Sequence, residues 1–188
     1  MSEEKRKPNV FLEFIKDLLI AVVIAVLIMQ VIKPTIVKED SMLPNFQENN
    51  YLIVSKISYK IGNPERGDVI IFRSNLEDDS EGSGKKKLLI KRVIGLPGDT
   101  ISFKDRKVYV NGNESDQSYT LDHETYADID KVELGEDEYF CMGDNRNVSM
   151  DSRDPSVGNV KRDTIVGRVV LRLFPFNEIR YFQKGETK

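Results

Sequence analysis

The sequence has very little of the residues that support metal binding, disulfide formation and histidine-based catalysis. Its 188 residues include one cysteine, Cys141, one histidine, His123, and no tryptophan. A single cysteine excludes an intramolecular disulfide and a cysteine-rich zinc site, and a single histidine excludes a histidine-rich metal site. A Ser-His-Asp triad would have to use His123, which lies in an acidic segment without an apolar strand pattern. We therefore expect no metal and no cofactor, and a serine nucleophile would need a different base.

The chain also lacks a strong excess of charge of either sign. Its 28 lysine and arginine residues and 31 acidic residues give a net charge of −3. Binding to nucleic acid requires a basic patch or stripe, so no nucleic-acid partner is expected. A hydrophobic content of 39% is enough to form a core and excludes disorder of the whole chain. The length allows one core domain with an anchor, but not two full domains.

An apolar segment near the N-terminus is the most pronounced feature of the composition. Residues 18–29 include no polar residue, and the apolar character extends over 14–32 with three interruptions. This length is close to that needed to cross a bilayer. Four basic residues lie at or before its start and two follow it, which favours a cytoplasmic N-terminus. The sequence predicts a cytoplasmic segment over 1–13, a single-pass membrane anchor over 14–32 and an extracytoplasmic domain over 33–188.

Two other interpretations of the apolar segment remain open. A buried helix of a soluble domain can be equally apolar, although this run opens the chain and has no amphipathic stripe. A cleaved signal peptide would be followed by a small-x-small cleavage site, whereas the residues here are Gln30-Val31-Ile32-Lys33-Pro34. An uncleaved anchor is the favoured interpretation.

After Pro34 the pattern changes to short β-like runs separated by turn residues. These runs cover 51–57, 68–73, 88–94, 100–103, 106–110, 138–142 and 164–174. Lys104-Asp105 is predicted as a hairpin link and Asn111-Gly112 as a further turn. The pattern predicts a mainly β domain with an antiparallel, sandwich-like or barrel-like sheet. Two charged segments, 77–87 and 113–138, are predicted to be solvated loops.

Lys91 has the sequence environment that a lysine base requires. Burial lowers the pKa of a lysine because a medium of low dielectric constant disfavours the charged form. Residues two apart share one face of a strand, so Lys91 lies on the same face as Leu89 and Val93, with Arg92 on the opposite face. Arg92 stays charged and needs an acidic partner. The pattern alone leaves open whether Lys91 is catalytic or extends to solvent from an edge strand.

Ser41 is the candidate nucleophile that would match this base. It lies eight residues after Lys33 and should therefore be close to the membrane surface. Pro44 fixes its own φ and biases Leu43 toward an extended conformation. A rigid, extended segment from Ser41 to Pro44 could hold the hydroxyl together with the Ser41 backbone N–H, which is a usual oxyanion donor. An ordinary serine in a turn is the alternative.

A third polar segment, residues 143–153, follows an apolar run. Its sequence is Gly143-Asp144-Asn145-Arg146-Asn147-Val148-Ser149-Met150-Asp151-Ser152-Arg153. The density of small polar and oppositely charged residues favours a fixed hydrogen-bond network. An ordinary polar turn would have a similar composition.

Taken together, these segments resemble the motifs of type I signal peptidases. In chain order, the similar segments are Ser41-Met42-Leu43-Pro44, Arg66-Gly67-Asp68-Val69-Ile70, Lys91-Arg92-Val93-Ile94-Gly95-Leu96-Pro97-Gly98-Asp99 and residues 143–153. They follow one apolar N-terminal segment, and the resemblance covers essentially the whole chain. The short length and single anchor are similar to the small Gram-positive form of this family of serine/lysine proteases.

The resemblance implies a role for each residue of the site. Ser41 would attack the scissile carbonyl, and its backbone N–H would serve the oxyanion hole. Lys91 would take the proton of Ser41 and later protonate the leaving amine, while Ser149 would orient Lys91 through a hydrogen bond. The remaining supporting residues would be Met42 in the nucleophile motif and Asp144 as the partner of Arg92. Asp151 and Arg153 would stabilise the same side of the site.

The resemblance also implies a substrate and a location. The enzyme would be a membrane-bound endopeptidase built on a largely antiparallel β domain at the membrane surface. Its partners would be the signal peptides of exported pre-proteins, cleaved after small residues one and three positions before the bond, and membrane lipid.

Two positions near Ser41 depart from the family pattern. Glu39 stands where the family often has glycine, and Asn45 stands where threonine commonly follows the motif proline. A carboxylate at Glu39 would oppose a negative charge developing on the substrate unless its side chain points to solvent. Both the nucleophile and the base are present, so these departures do not indicate an inactive relative.

Two competing functions remain. A self-cleaving repressor-type protease would use similar Ser/Lys chemistry, but it would carry a DNA-binding domain or a cytoplasmic tail instead of an anchor. A surface-anchored β domain that only binds a partner would retain its function without the Ser41 hydroxyl and would hold Lys91 charged. The lysine motif and residues 143–153 favour an enzyme over the binding domain.

Overall fold

The computed structural model describes residues 10–78 and 84–186. The α-helix α1 covers Val10–Val31 and is followed by short 3₁₀ turns and β-strands. The strands of the described residues are β1 (Ile32–Ile36), β2 (Tyr51–Ser55), β3 (Val69–Glu77), β4 (Lys86–Gly95), β5 (Thr100–Lys104), β6 (Lys107–Val110), β7 (Asn113–Glu114), β8 (Lys131–Glu133), β9 (Glu138–Met142), β10 (Val160–Lys161), β11 (Ile165–Phe174) and β12 (Arg180–Tyr181).

The helix α1 contacts the β domain near its C-terminal end, where Lys56 donates hydrogen bonds to the Met29 and Val31 carbonyls. It has 22 residues, none of which is buried. In the part of the chain that the structure describes, no helix is long and apolar enough to cross a membrane, so the predicted spanning segment over 14–32 is not confirmed. The helix begins at Val10 and ends at Val31, and Ile32 already belongs to β1. Residues 1–9 of the predicted cytoplasmic segment lie outside the described residues.

Two antiparallel sheets form the domain, which confirms the predicted mainly β fold. The larger sheet has the strand order β1-β2-β11-β3-β4-β9-β10, with β12 paired to β11, and the smaller one has the order β7-β6-β5-β8. The strands β3 and β4 are central and make a long antiparallel pair in which Ile70 faces Lys91. Lys91 therefore lies on an interior strand and not at an edge of the sheet.

The predicted runs all contain a strand, but one turn is displaced. Lys104 pairs with Lys107, so the first hairpin loop is Asp105-Arg106 and lies one residue later than predicted. Both loop residues have positive φ, 50° and 62°, as a two-residue type I′ hairpin turn requires. Asn111-Gly112 forms the second turn as predicted, with φ of 52° and 79°.

Three apolar clusters pack on the sheets and fix the orientation of β4. Leu89 and Val93 belong to the first cluster, together with Ile70, Phe72 and Cys141. The second cluster joins β2, β3 and β11 to Met42 and Phe46, and the third fills the space between the two sheets. Because Lys91 shares one face of β4 with Leu89 and Val93, its side chain is directed into a buried environment.

The predicted acidic loop over 113–138 is more ordered than a solvated loop. It includes β7 and β8, and it buries Gln117, Tyr119, Thr120, Thr125 and Leu134. The guanidinium of Arg146 donates a hydrogen bond to Gln117 Oε1 at 2.8 Å and contacts the Tyr119 hydroxyl at 3.2 Å. The acidic side chains of the segment are largely exposed, whereas several of its other residues are buried, and Gln117 and Tyr119 among them contact residues 143–153.

Candidate active site

Ser41 and Lys91 meet in the interior of the domain. The Lys91 Nζ lies 2.7 Å from the Ser41 Oγ, within hydrogen-bond distance. Ser41 is 4% exposed and Lys91 is 1% exposed. The strand β4 supplies Lys91, and the 3₁₀ turn Asp40–Met42 supplies Ser41. A nucleophile and a candidate base that are 50 positions apart in the sequence are thus in direct contact.

Burial changes the acid–base behaviour of Lys91. Loss of contact with water lowers the pKa of Lys91 from 10.5 to about 8, although the negative charges of Asp151 and Glu39 act in the opposite direction. A lysine with such a pKa is partly neutral in mildly alkaline solution. In its neutral form, the Nζ atom can accept a proton from the Ser41 hydroxyl.

The segment around Ser41 is less extended than its sequence predicted. Ser41 and Met42 lie in the 3₁₀ turn, and only Leu43 is extended, with φ of −61° and ψ of 146°. The side chain of Met42 is fully buried in the second cluster and fixes the turn from inside. On the other side, the Asn145 backbone N–H donates to the Ser41 carbonyl at 3.1 Å. Apolar packing and a hydrogen bond together position the hydroxyl.

Arg92 and Asp144 form a buried ion pair on the face of β4 opposite Lys91. The Arg92 Nε and Nη2 atoms donate to the two Asp144 carboxylate oxygens at 2.8 and 2.6 Å. Burial alone would lower the pKa of Arg92, but the Asp144 carboxylate outweighs it and raises the pKa above its ordinary value. This bidentate pair fastens β4 to residues 143–153.

Neighbouring side chains complete the surroundings of this ion pair. The Asn45 Nδ2 atom donates to Asp144 Oδ2 at 2.9 Å and to the Tyr119 carbonyl at 2.7 Å. The Arg92 guanidinium lies over the Tyr119 ring, with its Cζ atom 4.6 Å from the ring centroid. Asn45, a departure from the family pattern, thus acts as a hydrogen-bond donor to the pair.

Asp151 and Arg153 form a second ion pair in the same segment. The Asp151 carboxylate is fully buried and accepts hydrogen bonds from Arg153 Nε and Nη2, both at 2.9 Å. It also accepts the Gly143 backbone N–H at 2.9 Å. Arg153 Nη2 additionally donates to the Arg146 carbonyl at 2.7 Å. The two ends of residues 143–153 are therefore connected, as expected for a fixed network.

Ser149 lies close to the dyad without a hydrogen bond to Lys91. Its Oγ atom is buried and has no hydrogen-bond partner among the described residues. It occupies the space beside Gly143, which also faces the Ser41 carbonyl. The structure thus brings Ser149 next to the Ser41 turn, but the predicted contact with Lys91 is not formed.

Gly143 is the residue that allows these groups to approach each other. A Cβ atom at this position would lie 2.4 Å from the Ser41 carbonyl oxygen and 2.3 Å from the Ser149 Oγ. Gly143→Ala is expected to lower the free energy of unfolding by about 1–3 kcal/mol, because a backbone oxygen cannot move away easily. Urea unfolding measures this change. Gly135→Ala is the matched control, since its Cβ would meet only Glu138 at 3.5 Å; equal stability of the two variants would contradict the prediction.

Glu39 forms a solvent-exposed ion pair. Its carboxylate lies 2.6 Å from the Lys87 Nζ, and the Glu39 side chain is 52% exposed. Solvent and the Lys87 ammonium screen the Glu39 carboxylate, although its charge still opposes the lowering of the Lys91 pKa by burial. This departure from the family pattern is compatible with a functional nucleophile.

One residue of the site, Tyr119, had no signal in the sequence and reaches Arg92 through tertiary packing. Asn45 was noted only as a departure from the family pattern, and Gly143 and Arg146 were included only as part of a polar cluster. The one histidine, His123, has its Nδ1 atom 3.1 Å from the Gln117 carbonyl. The described groups of cysteine, histidine and acidic residues include no cluster that could hold a metal ion.

Comparison with known proteins gives a consistent result. The family model described as signal peptidase, peptidase S26, matches residues 11–174. Signal peptidase I from Bacillus licheniformis is 36% identical over 192 residues, with 96% of this chain and 98% of that protein covered. Signal peptidase IB from Staphylococcus aureus is 33% identical over 196 residues, with 94% and 97% covered.

A solved structure is also similar. The crystal structure of a signal peptidase I from Enterococcus faecalis is 30% identical, with a TM-score of 0.45, and the match covers 57% of this chain and 97% of that one. The family match and the relatives span nearly the whole sequence and include both Ser41 and Lys91. The chain therefore belongs to the signal peptidase family, peptidase S26, and is a serine peptidase.

Proposed function

We propose that this enzyme removes N-terminal signal peptides from exported pre-proteins, with Ser41 as nucleophile and Lys91 as general base. The observation that carries the proposal is the 2.7 Å contact between the buried Lys91 Nζ and the Ser41 Oγ. The substrate class is inferred from relatives named signal peptidase I in Bacillus and Staphylococcus. Cleavage after small residues one and three positions before the bond is part of the same proposal.

The proposed reaction proceeds through an acyl-enzyme. Neutral Lys91 accepts the Ser41 proton as the Oγ attacks the scissile carbonyl, and the Ser41 backbone N–H stabilises the resulting oxyanion. The tetrahedral intermediate collapses, the C–N bond breaks, and the Lys91 ammonium protonates the leaving amine. Lys91 then takes a proton from water, which attacks the ester, and the proton returns to Ser41 Oγ as the new carboxyl product leaves.

The surrounding residues are proposed to position the dyad. The Arg92–Asp144 pair holds β4, and Asp151 with Arg153 holds residues 143–153. The unpartnered Ser149 hydroxyl is proposed to hydrogen-bond Lys91 once substrate is bound, since catalytic hydrogen bonds often tighten only in the substrate complex.

Cleavage of a synthetic signal peptide in detergent tests the proposed substrate. The peptide carries alanine one and three positions before the expected bond, and the matched control carries phenylalanine immediately before it. We expect one cut after the alanine, identified by mass spectrometry, and no cut in the control. Equal cleavage of both peptides, or cleavage elsewhere, would contradict the proposed specificity.

We further propose that α1 attaches the enzyme to a membrane. All of its large apolar side chains are exposed, from 38% to 79%, and none is buried. An apolar groove of about 440 Å³ lies where the end of β1 meets β2 and β11, and it is lined by Ile36, Asn49, Tyr51, Leu173, Phe174 and Phe176. Burial of this surface in lipid would remove it from water.

Fractionation of the full chain tests the attachment. We expect the protein in the membrane pellet, resistant to high salt and to alkaline carbonate, and released by detergent. A full-chain variant with Leu18, Val22 and Leu27 replaced by lysine should shift to the soluble fraction. Recovery of the unaltered chain in the soluble fraction would contradict the proposal. The predicted orientation, with a cytoplasmic N-terminus, remains a prediction that protease protection in intact cells can test.

A further inference from the structure

Segment 182–186 contacts two residues that lie next to the proposed dyad in the fold. Glu186 contacts Arg92, which neighbours Lys91 on β4, and Phe182 contacts Phe46, which packs beside the Ser41 turn. The segment follows β12 and returns to the side of β4 that carries Arg92. The Arg92 Nη1 atom donates to the Glu186 carbonyl at 3.0 Å, in addition to the Gly67 carbonyl at 2.9 Å. The segment therefore gives Nη1 of the buried Arg92 guanidinium a second acceptor, on the side that the Asp144 carboxylate does not reach.

A network of hydrogen bonds fixes the conformation of the segment. The Glu186 carboxylate accepts the Gln183 backbone N–H at 2.7 Å and the Arg180 Nη2 atom at 2.5 Å. The Gly185 backbone N–H donates to Asp68 Oδ1 at 2.9 Å. Gly185 has φ of +71°, a conformation that suits glycine. These contacts join the segment to β12 through Arg180 and to Asp68.

The beginning of the segment supports the nucleophile turn. The Phe182 ring packs on Phe46, with centroids 5.0 Å apart. Phe46 is fully buried, and its backbone N–H donates to the Met42 carbonyl at 2.9 Å, one residue after Ser41. Phe182 is itself held by a backbone hydrogen bond to the Val170 carbonyl at 3.0 Å. The aromatic contact thus braces the Ser41 turn from the side of β11.

We propose that segment 182–186 is a positioning element of the catalytic dyad, which fixes the Ser41 turn through Phe182 and the Lys91 strand through the Glu186–Arg92 contact. Among the described residues, no hydrogen bond joins the segment to Ser41 Oγ or Lys91 Nζ, so it acts through other residues. Displacement of a reacting group by about 1 Å can reduce turnover by about 100-fold. The inference rests on the proposed Ser/Lys peptidase function.

Full-chain variants separate a positioning role from a purely structural one. Phe182→Ala removes the ring on Phe46, and Gly185→Pro removes the donor to Asp68 and cannot adopt the positive φ. Phe182→Tyr keeps the ring and is the conservative counterpart. Lys184→Gln is the matched control, because the Lys184 side chain forms a surface ion pair with Glu65 and such pairs contribute little.

The readouts are kcat and KM for the signal peptide, the pH profile and the midpoint of thermal unfolding. At a temperature well below unfolding, we expect kcat of Phe182→Ala and Gly185→Pro to fall roughly 10-fold or more per folded molecule, with KM and the alkaline pH dependence unchanged. Phe182→Tyr and Lys184→Gln should retain wild-type kcat.

The possible failures are distinguishable. If wild type cleaves and the two disruptive variants have unchanged kcat, with only a lower midpoint of unfolding, the segment is structural and the inference is wrong. A rise in KM with unchanged kcat would also overturn it, because that result indicates lost substrate binding. Absence of cleavage by wild type would overturn the proposed function and this inference together.

Discussion

Lys91→Met is expected to reduce kcat by about 10⁴-fold or more, because no other basic group contacts Ser41 Oγ in the described structure. Methionine has a similar length and is apolar, so it fills the buried position without a proton acceptor. Lys91→Arg should be equally inactive, since the guanidinium stays charged and cannot accept a proton. Steady-state cleavage of the synthetic signal peptide measures both effects. Substantial turnover by Lys91→Arg would mean that another residue is the base.

The stability of Lys91→Met serves as the control for folding. The folded state lowers the pKa of Lys91 to about 8, whereas the unfolded chain retains a value near 10.5. Between these two pH values the unfolded state binds more protons than the folded state, so the free energy of unfolding of the wild type should rise with pH. Below about pH 8 Lys91 is charged in both states, and the folded state bears the full cost of burying that charge. Urea unfolding at pH 7 should therefore show Lys91→Met at least as stable as wild type. The variant should lack the stability gain that wild type shows above pH 8.

Ser41→Ala should also abolish cleavage, with a loss of at least about 10³-fold in kcat. The substitution removes the attacking oxygen and leaves the Met42 packing and the Asn145 hydrogen bond to the Ser41 carbonyl unchanged. The variant should therefore still bind the signal peptide, which fluorescence anisotropy with a labelled peptide can measure. Ser118→Ala is the matched control, because Ser118 is an exposed serine that bonds only Asp116.

Two results would contradict the assignment of Ser41. Near-normal turnover by Ser41→Ala would identify a different nucleophile. The non-enzymatic binding domain would be favoured by two observations together: the wild type does not cleave the peptide, and Ser41→Ala retains its function in cells. A nucleophile and base that act as one unit also predict that the double variant, with both Ser41 and Lys91 replaced, is no less active than either single variant.

Strand patterns predicted most of the large sheet, because β2, β3, β4, β9 and β11 are buried and rich in β-branched or aromatic residues. The pattern failed for β1, which contains Pro34 and directly follows an apolar helix. Proline is tolerated there because β1 is the edge strand of the sheet. The strands β7, β10 and β12 have two residues each and are too short to produce a periodic pattern.

The residues of the candidate site that lie on one strand could be placed from the pattern of that strand. Alternation along β4 predicted that Lys91 shares a face with Leu89 and Val93 and that Arg92 lies on the other face. It left open whether Lys91 is buried, which depends on the interior position of β4 in the sheet. Motif similarity linked Arg92 to Asp144, since the two lie 52 residues apart and meet only in the folded chain. Neither pattern nor motif indicated Tyr119, which lies in a segment dominated by acidic residues. Its burial between two arginines is decided by tertiary packing.

The pH dependence of kcat/KM for the wild-type enzyme on the synthetic signal peptide tests the central claim most directly, because this ratio reports the ionisation of the free enzyme. The Ser/Lys dyad predicts that kcat/KM rises as the pH increases through about 8, the pKa at which Lys91 loses its proton. It also predicts that Lys91→Met shows no such rise. An acid optimum, or a flat profile between about pH 6 and 9, would contradict a lysine base.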